Sequence, residues 1–261
     1  MSATTAQRAR GRGFWSLTLL QARFQFLETI RIPIAVIGNM MFPALSLLFF
    51  VVPLRQVADD PRAATAAVSQ LAMFAVMSTC LFTFGLGIAE DRALPFDQFV
   101  RTLPAGPWPR MAGRILNGAM FAMLGLLPLV LIGRLFTAAT LPFGRLLATA
   151  GVLLGVALPF LLLGMAIGFS MSAKAAIGVV QAVLFPLAFA GGLFFPPEMF
   201  PGWLDAFSRG TPSRAGRELL VEATTGVHGY GYALAVLVGW AVVFAVLCVT
   251  AYRNDEGRRF R

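Results

Sequence analysis

The sequence predicts an all-α integral membrane protein with six transmembrane helices, and three observations carry that prediction. Hydrophobic residues make up 58% of the 261 residues and charged residues only 13%, at a mean hydropathy of +0.77. Soluble domains hold about 45–50% apolar and about 25% charged residues, so this chain lies outside the soluble range. The second observation is the spacing of charge. The uncharged intervals from Arg31 to Arg55, Arg62 to Glu90, Arg114 to Arg134, Arg145 to Lys174, Lys174 to Glu198 and Glu222 to Arg253 run to 23, 27, 19, 28, 23 and 30 residues. A spanning helix needs about 20 predominantly apolar residues, which all six intervals reach or nearly reach. The third is charge asymmetry. With six spans, 14 of the 21 basic residues fall on the side of the termini and 7 on the other, while the acids divide evenly. The positive-inside rule then predicts cytoplasmic termini, and 20 arginines to one lysine suggest a GC-rich bacterial genome, hence a bacterial plasma membrane. The net charge of +9 reads as topology and lipid contact, not nucleic-acid binding.

Residues 14–31, ahead of the first span, place Thr18, Gln21, Gln25, Glu28 and Thr29 on one polar stripe, with Arg23 opposite. That pattern suits a helix lying in the cytoplasmic interface with Arg23 snorkelling, or a cytoplasmic extension of span one. No cleavable signal peptide is expected, because no short apolar core with a small-residue cleavage site follows the basic start. Span one, about 32–54, has Pro33 at its entry and Pro53 at its exit, and Pro43 inside predicts a kink. Span two, about 65–89, carries Gly85 and Gly87, expected to permit close packing near its end.

The stretch 92–103 predicts a short helix opened by Pro95 and stopped by "PAGPWP". Phe96, Phe99, Val100 and Leu103 share one apolar face, and Asp97 and Arg101 pair at i, i+4 behind it. Two readings stand open on this pattern: a linker resting on headgroups, and a surface that docks into a soluble partner. Spans three, four and five follow at about 112–133, 146–171 and 175–194, and span six at about 229–252. Between the last two lies 195–227, an external segment of short helices. Thr211 is a suitable N-cap, Pro212 suits the first helical position, and Arg214 and Glu218 pair at i, i+4. Its aromatic start, "GGLFFPPEMFPGW", suits a lid over a cavity or an interfacial aromatic belt.

Catalytic chemistry finds no foothold. His228 is the only histidine and falls at the edge of span six, and Cys80 and Cys248 sit in separate spans as small core residues, so no metal site is expected. The only lysine, Lys174, is followed by Ala175, which excludes a GxxxxGK[ST] phosphate loop. If ATP drives this protein, another polypeptide binds it. An ion-coupled carrier would need an intramembrane carboxylate, and none of the six intervals offers one. A non-transport scaffold is the remaining rival. Mild polar residues such as Asn39, Ser46, Asn117 and Gln181 are expected at helix–helix contacts or along a path.

The order of these parts resembles the permease subunits of type-two ABC exporters, which move drugs, polysaccharides and lipids. "EDRALPFDQFVRTLPAGPWPRMAGRIL" (90–116) looks like that family's cytoplasmic coupling stretch, closed by Gly113–Arg114. "GGLFFPPEMFPGWLDAFSRGTPSRAGRELL" (191–220) looks like its external signature, with Thr211–Pro212 where an Asn-Pro step is usual. The resemblance implies that Glu90, Phe96, Asp97, Phe99, Val100, Arg101 and Leu103 contact a separate ATP-binding cassette subunit, present in two copies and holding ATP and Mg. It implies an external gate at Phe194, Phe195, Met199, Phe200 and Trp203. It implies a pathway lined by spans one and five of a homo- or heterodimer, with Asn39, Met40, Phe42, Gln181 and Phe185 as candidates.

Overall fold

A computed structural model describes residues 13–31, 41–94 and 107–259, and every regular element among them is helical. Helix α1 runs Phe14–Ile30 and α2 runs Met41–Val51, the latter finishing in a π-helical stretch at Leu47–Val51. After a short α3 (Arg55–Ala58) comes α4 (Pro61–Ala93), interrupted by a π-helical segment at Leu81–Leu86. The bundle continues with α5 (Pro107–Phe136), α6 (Phe143–Ser170) and α7 (Ala173–Ala190). A 3₁₀ turn (Pro197–Met199), α8 (Gly202–Ser208) and α9 (Pro212–Thr225) lead to the final α10 (Ala233–Arg259).

Five helices, α4, α5, α6, α7 and α10, are long and apolar enough to cross a membrane. Span one was expected at 32–54; residues 32–40, with Pro33, Asn39 and Met40, lie outside the described residues. The described part, α2, is a shorter apolar helix that stops before Pro53, where its exit was expected. Helices α4 and α5 overrun their uncharged intervals at both ends, whereas α6, α7 and α10 are offset from theirs. α4 starts at Pro61, because Asp60 caps it by accepting from the Arg62 and Ala63 amides (2.7 and 3.2 Å) and Pro61 fits the first turn. It ends at Ala93, so Arg92 and Ala93 belong to α4 and not to the expected 92–103 helix; Leu94 is extended. α7, expected to reach 194, stops at Ala190, where Gly191 caps it and Gly192 turns the chain at φ +69°. α10 begins at Ala233, four residues later than expected, and continues through the basic tail to Arg259.

α4 is the axis of the bundle. All residues from Leu71 to Cys80 are buried, as in a helix covered on every side. It packs on α5, α6, α7 and α9, and its π segment presses on α6 and α7. Small residues make that approach possible. A Cβ at Gly164 of α6 would lie 2.7 Å from the Cys80 carbonyl oxygen, and one at Gly168 would lie 2.5 Å from that of Phe84. Between two membrane helices, lipid supplies no hydrophobic drive, so such backbone proximity is a main source of attraction. Gly85 takes part, with a Cβ there meeting Val180 at 2.9 Å, but Gly87 has nothing within 4 Å. The expectation for Gly87 is therefore corrected: two residues on, it looks away from α6. Cys80 and Cys248 are both buried free thiols.

The end of the bundle carrying α1 is called basal here, and the end carrying α8 and α9 distal. α1 lies along the first turns of α5. A Cβ at Gly113 would meet Gln21 at 2.8 Å and the Thr18 carbonyl oxygen at 3.0 Å, so glycine is what seats the helix. Most of the polar stripe of α1 faces the protein, with Thr18 buried and Gln21, Gln25 and Thr29 half-buried but Glu28 exposed, while Trp15, Leu19, Phe24, Leu27 and Ile30 are exposed. The Thr18 and Thr29 hydroxyls donate to carbonyls one turn back (2.9 Å each), so turning inward leaves them satisfied. The outward apolar face fits an interfacial helix.

Gly168→Val is expected to lower thermal stability in detergent by about 1–3 kcal/mol, because the carbonyls it would strike cannot move aside. Gly87→Ala, with open space around it, is expected to melt at or above the parent temperature. Melting curves of the two purified variants check the pair.

Candidate functional site

Three groups of side chains stand out: an ionic cluster toward the distal end, an aromatic cluster beside it, and ion pairs at the basal end.

The ionic cluster is built on α9. The expected local chemistry holds: Thr211 accepts from the Arg214 amide (3.3 Å), Pro212 opens the helix, and Arg214 Nε meets Glu218 Oε1 at 2.9 Å. What differs is the surroundings. The 195–227 segment was expected to lie outside or to dip into the outer leaflet, yet residues 211–218 are all buried, and α9 packs among α4, α6 and α10. Ser213 donates to the Leu187 carbonyl of α7 (2.6 Å), so α9 starts where α7 stops. Gly216 lies against Val156 and Met73, and Thr224 shares a 2.8 Å hydrogen bond with Ser69 of α4. At its far end Gly226, at φ +77°, closes α9 over the Arg145 guanidinium, which donates to the Thr224 carbonyl (3.3 Å). A cation suits a helix C-terminus.

Charge is thereby held inside the bundle. Glu218 Oε1 takes Arg217 Nη1 at 2.6 Å as well as Arg214, and Arg214 Nη2 is 3.7 Å from Asp205 of α8. With its amide oxygen turned to Arg217, Gln70 of α4 accepts from Nη2 (2.5 Å) and Nε (3.1 Å). Gln70 lies roughly 14 Å along α4 from its distal start, at 1.5 Å per residue. Burial lowers the Arg214 pKa, opposed by the Glu218 charge, and the group stays a cation. Burial also pushes the Tyr230 phenol up to about 12, and its hydroxyl donates to the Arg209 carbonyl (3.1 Å). The sequence carried a signal for the cluster in Arg214, Arg217 and Glu218 at i, i+3, i+4, but nothing in the sequence pointed to Gln70.

Beside it, Phe42 of α2, Phe74 of α4, Phe185 and Phe189 of α7, and Phe194 and Phe195 of the turn form a chain of rings with centroids 5.0–6.4 Å apart. Candidates for lining and gate thus meet: Phe42 and Phe185 from the first set, Phe194 and Phe195 from the second. Met199 and Trp203 do not join them and are exposed (71% and 73%), and Phe200 is half-buried. Gln181 is exposed on the α7 face that also bears Ile177, Phe185 and Phe189. Asn39 and Met40 lie outside the described residues.

At the basal end Glu90 is exposed in the last turn of α4. Its neighbours point apart: Asp91 pairs with Arg114 of α5, and Arg92 pairs with Asp255 of α10. Gly113–Arg114 therefore does two jobs, the glycine seating α1 and the arginine tying α5 to α4. Phe96, Asp97, Phe99, Val100, Arg101 and Leu103 lie outside the described residues.

Comparison with known proteins fits this layout. A family model described as ABC-2 type transporter matches residues 17–224, from α1 to the end of α9. The chain is similar to the putative transport permease YvfS of Bacillus subtilis, at 23% identity over 223 residues, 85% of this chain and 91% of the relative. It is also similar to the daunorubicin resistance ABC transporter permease protein DrrB1 of Streptomyces coeruleorubidus. There the identity is 34% over 177 residues, 62% of this chain and 58% of the relative.

Glu218→Gln would leave two buried guanidiniums without their shared carboxylate and is expected to cost about 3–5 kcal/mol. Arg209→Ala, at an exposed pair, is expected to change stability by less than about 1 kcal/mol. Thermal unfolding of both in detergent reads the contrast.

Proposed function

This chain belongs to the ABC-2 type transporter family, as a multi-pass permease of ABC transport, and we propose that it drives export through a partner ATPase. In this reading two permease subunits pair, as homo- or heterodimer, and two copies of an ATP-binding cassette subunit bind and hydrolyse MgATP. Both termini and the basal end face the cytoplasm of a bacterial cell. Closure of the ATPase pair pushes on 95–106, and rigid-body movement of helices alternates access. Phe96, Phe99, Val100 and Leu103 form the face that docks the ATPase, with Glu90, Asp97 and Arg101 at its edge.

The observation that carries the reading is the family match from α1 through α9, over a bundle with no phosphate loop of its own. The cargo is an amphipathic molecule, drug-like, lipid or glycan. Two observations support that class: the ring chain from Phe42 to Phe195, and the drug resistance in the printed name of the Streptomyces relative. The exposed α7 face with Ile177, Gln181, Phe185 and Phe189 supports a second permease subunit opposite it.

The test is purification with the candidate ATP-binding protein, then ATPase and transport assays of the pair in lipid vesicles. Phe96→Asp with Phe99→Asp is expected to abolish the association while the permease alone melts as the parent does. Full association of the double variant would overturn the docking face, and no complex with any ATPase would overturn the exporter reading.

A further inference from the structure

We propose that Arg92 is a positioning residue that joins the basal ends of α4, α6 and α10 into one moving body, so that force applied to 95–106 reaches all three. The inference rests on the permease reading and adds to it the route by which the ATPase signal enters the bundle.

Arg92 occupies the last turn of α4, two residues before the chain leaves the helix at Leu94. Its Nη1 donates to the carbonyls of Gly168 (2.7 Å) and Met171 (3.2 Å), and its Nη2 binds the Asp255 carboxylate of α10. The carbonyls are those at the end of α6, where the helix supplies no donors and its dipole favours a cation. Asp255 is buried, so the pair is shielded from solvent. α6 and α10 are already packed together, with Phe169 and Tyr252 edge to face at 5.2 Å. Arg92 adds α4 to that pair, one turn beyond the Gly168 contact with the π segment. Asp91 turns the other way to Arg114, so α4's last turn is gripped from both flanks.

Geometry makes arginine specific here. The guanidinium presents five donors in a fixed planar fork and holds two carbonyls and a carboxylate together, whereas an ammonium is a point charge. Arg92→Lys keeps the charge and loses the three-way grip, and Asp255→Asn keeps the α6 contacts and weakens those to α10.

Two measurements decide the matter. In the permease alone, in lipid nanodiscs, Arg92→Lys and Arg92→Gln are expected to raise amide hydrogen exchange over 165–171 and 250–258 together. In the reconstituted complex, both are expected to hydrolyse ATP within about twofold of the parent while molecules moved per ATP fall at least about fivefold, the lower end of usual site-to-site coupling. Asp255→Asn is expected to fall between the parent and Arg92→Gln. Unchanged transport per ATP, with only a lower melting temperature, would make Arg92 a stability pin and overturn the proposal, as would exchange that stays at the parent level. If the parent complex itself moves nothing, the exporter reading fails, and the exchange result alone then decides whether Arg92 binds the three ends.

Discussion

The close approach of α4 to α6 is the contact on which the rest of the bundle depends. Gly164 and Gly168 let α6 come within touching distance of the α4 backbone at Cys80 and Phe84. The π segment at Leu81–Leu86 is where that touch occurs. A π turn inserts one residue into the helical count, so the faces of α4 above and below it are rotated relative to each other. The distal half can therefore present Gln70 and Met73 to α9 while the basal end presents Asp91 and Arg92 to α5, α6 and α10.

α9 follows from the shortness of α7. At 18 residues, α7 rises roughly 27 Å, a little less than a hydrocarbon core of about 30 Å. Ser213 docks α9 on its end, and the charged first turns of α9 then fall inside protein, not lipid. Irregular and polar backbone at such depth is tolerated only where protein covers it. The cover is supplied by α4, α6 and α10, Glu218 supplies the counter-charge to Arg214 and Arg217, and the neutral Gln70 amide accepts hydrogen bonds from Arg217. A buried pair of this kind adds little net stability against an apolar alternative, but losing one member is costly, so it fixes the seat of α9 more than it strengthens the fold.

Much of this was legible in the sequence, because charge-free intervals measure membrane thickness directly. Five of the six intervals correspond to spanning helices, and the cap chemistry at Thr211–Pro212 and the pair Arg214–Glu218 form as their spacing predicts. Legibility ended where a partner in space decides. Gly85 and Gly87 look equivalent in sequence, and only the position of α6 and α7 separates them. The polar stripe of α1 suggested water on that side, but Gly113 offers a seat that a threonine and two glutamines fit. The external placement of Arg214, Arg217 and Glu218 did not foresee their burial, because the Gln70 that accepts from Arg217 stands 147 residues earlier in the chain. Of the expected lining and gate residues, Phe42, Phe185, Phe194 and Phe195 met, while Gln181, Met199 and the aromatic Trp203 did not, so being aromatic was not enough without a place beside α7.

The charges buried on α9 also dictate an order of assembly during synthesis. An arginine at the centre of a lone helix costs about 2.5–3.5 kcal/mol to insert, and α9 carries two arginines and a glutamate within one and a half turns. Such a segment does not enter lipid by itself. It takes its seat only after α4 and α6 stand in the membrane to receive it, and the chain order meets that requirement, since both are made first. α10, made after α9, then closes over it, so the seat of α9 is sealed from the surrounding lipid only once α10 has been threaded home.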